Sequence, residues 1–146
     1  MSIYDLLKKD HKEVSKLLDE VAATGDDAGK TRAKKFAQIK EKLTAHSDAE
    51  DEVFYSVLVE HDETRDIVLE GREEHALIVE FLEELSQMPP GSEDWTAKFK
   101  VFKENVEHHV EEEEGEMFKN ARKVLSDAEA KDIGEQFREQ KQSLLA

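Results

Sequence analysis

The 146-residue sequence predicts an all-α fold: an up-down-up-down antiparallel four-helix bundle with a short extra helix at the C-terminus. Three observations carry that expectation. Apolar residues recur at spacings of three and four along four long segments, the period of a helix with one buried face. Charged residues make up 39% of the chain and hydrophobic residues 38%, with two prolines and six glycines, a profile of long helices with solvated outer faces. The breaks between segments are short, and short loops between long helices make neighbours antiparallel.

The first helix is expected over about residues 2–23, where Ile3, Leu7, His11, Val14, Leu18 and Val21 form the stripe and Leu6 and Leu17 widen it. The stretch Thr24-Gly25-Asp26-Asp27-Ala28-Gly29 reads as a turn. The second helix, about residues 30–59, turns Phe36, Ile39, Leu43, His46, Glu50, Val53 and Val57 inward. The third, about residues 63–86, carries Ile67 or Val68, Gly71, His75, Ile78, Leu82 and Leu85 on its stripe. Met88-Pro89-Pro90-Gly91-Ser92 stops it, and Ser92 or Asp94 can cap the fourth helix, about residues 94–124. That helix aligns Trp95, Phe99, Phe102, Val106, His109, Glu113 and Met117. Gly115 inside it costs about 1 kcal/mol against alanine and implies a bend or a close backbone approach. The fifth helix is expected over about residues 127–144.

No linker interrupts the pattern, so residues 1–146 read as one domain, with the bundle over about 2–124. The net charge of −15 opposes phosphate backbones and anionic membrane surfaces, so neither nucleic acid nor a membrane is an expected partner. The absence of cysteine excludes disulfides, thiolate-bound clusters and a cysteine nucleophile. There is no apolar leader after Met1 and no run near the ~18 apolar residues of a membrane span, so a cytoplasmic protein is expected.

Each long helix places one histidine on its apolar stripe: His11, His46, His75 and His109. Two stripes add a glutamate four residues later, in His46-Ser47-Asp48-Ala49-Glu50 and His109-Val110-Glu111-Glu112-Glu113. That spacing puts both side chains on one helix face, about one turn or ~6 Å apart, which suits a metal pair ~3.5–4 Å apart. Counting residues from the loops puts all six in one layer. Two ionised carboxylates among Ile39, Leu43, Val53, Phe102 and Val106 need compensation worth several kcal/mol, which imidazoles and cations supply. Imidazole and carboxylate without thiolate suit iron, manganese or zinc. Glu111, Glu112 and Glu114 read as a solvated face, His61 and His108 as surface residues, and Trp95, Phe99 and Phe102 as core. Tyr55 falls off the stripe.

These segments resemble the haemerythrin HHE cation-binding family. The resemblance rests on Asp10-His11-Lys12-Glu13-Val14, the His46–Glu50 segment followed by Phe54-Tyr55, His75, and His109 through Phe118, and it spans about residues 1–125. It implies a four-helix bundle with a non-haem di-iron centre, two iron ions bridged by carboxylates and by oxo, hydroxo or water. The implied ligands are His11, His46, Glu50, His75, His109 and Glu113. Oxygen-carrying members have a fifth histidine four residues after the first on the third helix, where this chain has Val79. They also have an aspartate five residues after the fourth-helix histidine, where it has Glu114. Four imidazoles and two bridging carboxylates leave about four of twelve octahedral positions to solvent, an exogenous ligand or another residue. Dioxygen, peroxide or nitric oxide are therefore the expected partners. The resemblance implies a di-iron protein reacting with small oxidants in oxidative or nitrosative stress defence. A dioxygen-binding, sensing or storage module and an iron-sensing or iron-handling protein are the alternatives.

Overall fold

Three serines start helices in the computed structural model, which describes residues 1–146. Ser2 Oγ accepts the Asp5 amide at 3.3 Å and opens α1, Ile3–Ala22. Ser92 Oγ accepts the Trp95 amide at 3.1 Å and opens α4, which begins as Glu93–Glu112. Ser126 and Glu129 form a reciprocal capping box that opens α5, Asp127–Leu145. Between these lie α2, which begins as Gly29–Glu50, and α3, Asp62–Gln87. The chain is all-helical and has no strand; no helix is long and apolar enough to cross a membrane.

The expected ends agree with these helices to within a residue or so. The main departure lies inside two of them. α2 widens over Asp51–Tyr55 before finishing as Ser56–Leu58, and α4 (Glu93–Glu112) widens over Glu113–Met117 before finishing as Phe118–Val124. In each widened turn an amide reaches back five residues, Ser56 to Asp51 and Phe118 to Glu113, so the turn holds one extra residue. The following stripe rotates by one position. Val57, expected inward, is only half-buried, while Leu58 is fully buried.

The widening is also what Gly115 marks. It sits in the second wide turn, and nothing lies within 4 Å of where its Cβ would be, so the expected close approach is absent.

The apolar core is in two parts. One contains Leu7, Val53, Phe54, Leu58, Val68, Met117 and Phe118; the other contains Val14, Leu18, Ile39, Leu43, Ile78, Leu82 and Val106. On each of α1–α4 the histidine falls between a residue of one part and a residue of the other, so a polar layer divides the core. Side chains such as Leu7, Leu18 and Ile39 are essentially buried, each worth about 1.5–3 kcal/mol against exposure.

Two further contacts tie the helices together. Arg32, 3% exposed, bonds Thr24 Oγ1 at 2.9 Å, the Pro90 carbonyl at 2.9 Å and Thr96 Oγ1 at 2.8 Å, tying the α1–α2 and α3–α4 loops together. α5 lies along α1 and α2, where Gly134 lets its backbone approach the chain start: a Cβ there would stand 2.5 Å from the Met1 carbonyl oxygen.

Candidate metal centre

All six residues picked from the stripes meet in the polar layer. They form two groups of donor atoms that share one carboxylate. His75, His109, Glu50 and Glu113 make one group and His11, His46 and Glu113 the other, each with donor atoms within 4.8 Å of one another. Every member is buried, and Glu50 and Glu113 are fully so. Glu113 Oε1 lies 3.2 Å from His11 Nε2 and its Oε2 lies 3.5 Å from His109 Nε2. Glu50 Oε1 lies 3.1 Å from His75 Nε2 and 3.8 Å from His46 Nε2.

A ring of carboxylates surrounds this layer. His11 Nδ1 pairs with Glu114 at 2.6 Å, His46 Nδ1 with Asp10 at 2.9 Å, His75 Nδ1 with Asp51 at 3.1 Å and His109 Nδ1 with Glu74 at 2.6 Å. Each carboxylate adjoins, in sequence, one of the six inner residues, yet it serves a histidine on a different helix. Asp10 of α1 holds His46 of α2, Asp51 of α2 holds His75 of α3, Glu74 of α3 holds His109 of α4, and Glu114 of α4 returns to His11 of α1. An Nδ1–H donated outward turns Nε2 inward, the orientation a metal requires; the Nε2 atoms of His75 and His109 lie 3.1 Å apart and share a proton. Glu114, expected on a solvated face, therefore faces His11 instead, with its side chain 33% exposed.

Tyr55 is the second residue that the stripes misplace. The widened turn of α2 swings its side chain inward, fully buried, where its ring stacks on His75 with centroids 5.1 Å apart and planes 8° apart. Its hydroxyl donates to Glu113 Oε2. Space for the phenol comes from Gly71, where a Cβ would stand 3.0 Å from the Tyr55 hydroxyl and 3.2 Å from Met117 Cε. Val79 has no part in the layer. It is 42% exposed, because the inward stripe leaves His75 by a step of three to Ile78 and turns the next position outward. His108 is exposed beside Glu112, as expected for a surface residue.

Electrostatics distinguishes the two inner carboxyls. Burial, then the charge of Glu113, pushes the Glu50 carboxyl well above the usual range. Burial also acts to raise Glu113, but the His109 and His11 imidazoles, 3.5 and 3.2 Å away, outweigh it and hold that carboxyl well below. Burial would lower His109, yet bonds to Glu113 and Glu74 lift it to about 9. Burial lowers His46, and it pushes the Tyr55 phenol up so that its proton stays on.

The donor set fits a metal pair. Both oxygens of Glu50, Oε1 of Glu113 and Nε2 of His11 are buried with no hydrogen-bond partner. Unsatisfied buried carboxylate oxygens are expensive, and a cation among them removes the cost. Charge points the same way: six carboxylates meet four imidazoles and the single ammonium of Lys141, which bonds Asp10 at 2.6 Å.

Comparison with known proteins agrees with this geometry. The sequence is 28% identical over 148 residues to a DNA nickase from a Nostoc species; the match covers 99% of this chain and 40% of the nickase, so the chain spans well under half that relative's length. Its fold matches a crystal structure of a haemerythrin HHE cation binding domain-containing protein from Mycobacterium kansasii, with TM-score 0.87 at 22% identity, covering 99% of this chain and 88% of that one. The family model for the haemerythrin HHE cation binding domain matches residues 2–121, and the chain belongs to that family.

Proposed function

We propose that the chain is a non-haem di-iron protein that reacts with small oxidants, peroxide, nitric oxide or dioxygen, in defence against oxidative or nitrosative stress. The ligands would be His75, His109 and Glu50 for one iron, His11 and His46 for the other, and Glu113 for both. The observation that carries the reading is the set of unpaired buried oxygens on Glu50 and Glu113, facing imidazoles whose outer nitrogens are already committed to carboxylates.

Bound there, the irons would supply redox chemistry and open coordination positions. The protein's part follows from its residues. The carboxylate ring fixes the four imidazole tautomers. The two parts of the apolar core exclude bulk water from above and below. Tyr55 holds Glu113 by a hydroxyl that keeps its proton, and so positions the shared carboxylate. The His11–His46 group has fewer protein donors than the His75–His109 group, which favours exogenous ligand on that side. With a net charge of −15, the partners in this reading are small molecules and not nucleic acid, and the nickase's activity is not carried over.

The same reading takes the chain as one domain in which α1–α4 run up-down-up-down, with α5 added. Its support is the alternating order in which successive helices visit the two parts of the core.

The test is iron content and absorption of the purified protein before and after peroxide, beside a His75→Ala variant. Two irons per chain, with peroxide consumed by the parent and not by the variant, is the expected result. Irons without turnover would favour the dioxygen-binding reading. A folded protein that takes up no iron when supplied would overturn the proposal.

A further inference from the structure

The family match ends at residue 121, and α5 begins at Asp127, yet α5 reaches the polar layer. Lys141 Nζ donates to Asp10 Oδ1 at 2.6 Å, with the lysine side chain 25% exposed and the aspartate 9%. The other oxygen of Asp10 accepts His46 Nδ1–H at 2.9 Å. One helical turn before Lys141, Phe137 meets the His46 ring edge-on, with centroids 5.7 Å apart and planes at 80°. The Lys141 ammonium lies 5.4 Å from the Phe137 ring centre, so one residue pair braces both the imidazole and its carboxylate. No other histidine of the layer has such a brace. Glu114, Asp51 and Glu74 are more exposed than Asp10, at 33%, 40% and 28% of their side chains, and no lysine or arginine pairs with them.

We infer that Lys141 is a positioning residue for the His11–His46 half of the centre, acting through Asp10 to aim His46 Nε2 inward. The inference rests on the two-metal reading of the site. Its physical content is an asymmetry between the halves. A carboxylate freed from Lys141 can rotate to solvent, and His46 then loses the bond that sets its ring and tautomer. In the His75–His109 half the imidazoles pair with Asp51 and Glu74, to which no α5 side chain is bonded, so that half keeps its geometry. Removing a partner of this kind typically costs roughly 10–100-fold in metal affinity.

The experiment compares the full chain with Lys141→Met, Lys141→Arg and Lys42→Met. The last removes the same charge from a lysine that pairs with Glu13 at 3.6 Å and makes no bond to Asp10. Metal-stripped proteins are titrated anaerobically with ferrous iron by calorimetry, with helicity followed by circular dichroism. The expected result is two ions in the parent. In Lys141→Met one ion should stay unchanged and one weaken roughly 10–100-fold. Arginine should restore it, Lys42→Met should match the parent, and helicity should be equal throughout.

Equal affinities in the parent and Lys141→Met would overturn the inference, as would equal weakening by Lys42→Met. A second readout needs no metal: nitrogen-15 spectra of the histidines. Lys141→Met should shorten the exchange lifetime of the His46 Nδ1 proton and leave that of His109 unchanged; unchanged His46 would overturn the inference. If no protein, the parent included, binds iron, the two-metal reading fails, and the His46 spectrum still decides whether Lys141 orients that ring.

Discussion

The Tyr55 hydroxyl donates to Glu113, the one carboxylate that both groups of donor atoms share. The bond crosses from the widened turn of α2 to the widened turn of α4. It joins the two places where the helices depart from regular winding. Removing the donor leaves a buried carboxylate oxygen with one partner fewer. Tyr55→Phe should therefore lower the unfolding free energy of the metal-free protein by about 1–3 kcal/mol, read from denaturant curves. A change below a few tenths would mean that the bond contributes nothing to the fold.

Glu50→Gln should act in opposite directions on stability and on metal binding. Burial and Glu113 push the Glu50 carboxyl well up, so the metal-free protein favours its neutral form. A neutral amide of the same shape should leave that protein as stable or more so, by up to about 1 kcal/mol. On the proposed di-iron reading the same change removes an anionic ligand, and the stabilisation by added ferrous iron should largely vanish. Thermal melts with and without ferrous iron read both effects; a destabilised metal-free variant would contradict the electrostatic argument.

Metal uptake should release protons. His109 is raised to about 9, so at pH 7.5 it carries a proton that an ion at Nε2 must displace. Glu50, raised well above its usual value, adds to the release wherever it is still protonated. The sign follows: apparent affinity rises with pH up to about 9 and falls on acidification. Calorimetry in two buffers of different ionisation enthalpy should give at least about one proton per chain at pH 7.5. No buffer dependence would exclude a protonated His109.

Two glycines should respond oppositely to alanine. Gly115 has open space around its missing Cβ, and alanine there should stabilise by up to about 1 kcal/mol. At Gly134 a Cβ would press on the Met1 carbonyl oxygen at 2.5 Å, and alanine should destabilise by about 1–3 kcal/mol as α5 is pushed from the chain start. Thermal unfolding of both variants checks the pair.

The inner layer was legible because its six residues lie on stripes that burial enforces: a histidine or glutamate in register with Leu7, Leu43 or Val106 has to face the core. The supporting ring was not legible in the same way. Asp10, Asp51, Glu74 and Glu114 sit one residue off the stripe, about 100° around the helix, where acidic side chains ordinarily face water. What turns them to use is the neighbouring helix, and sequence spacing within one helix carries no information about that. A usable signal did exist, since each adjoins a stripe histidine or glutamate. Tyr55 and Leu58 were lost for a different reason. A regular period of 3.6 was assumed through Asp51–Tyr55, where the backbone holds an extra residue.

The ring has a consequence for how the protein comes to be made. Its bonds run from α1 to α2, α2 to α3, α3 to α4 and back from α4 to α1. During synthesis an emerging α1–α2 hairpin therefore contains only the Asp10–His46 bond. His11 waits for Glu114, and the shared Glu113 arrives just before it. No partial chain short of α4 presents the full set of six inner donors. A ribosome-bound fragment should therefore hold no metal pair until α4 has been translated.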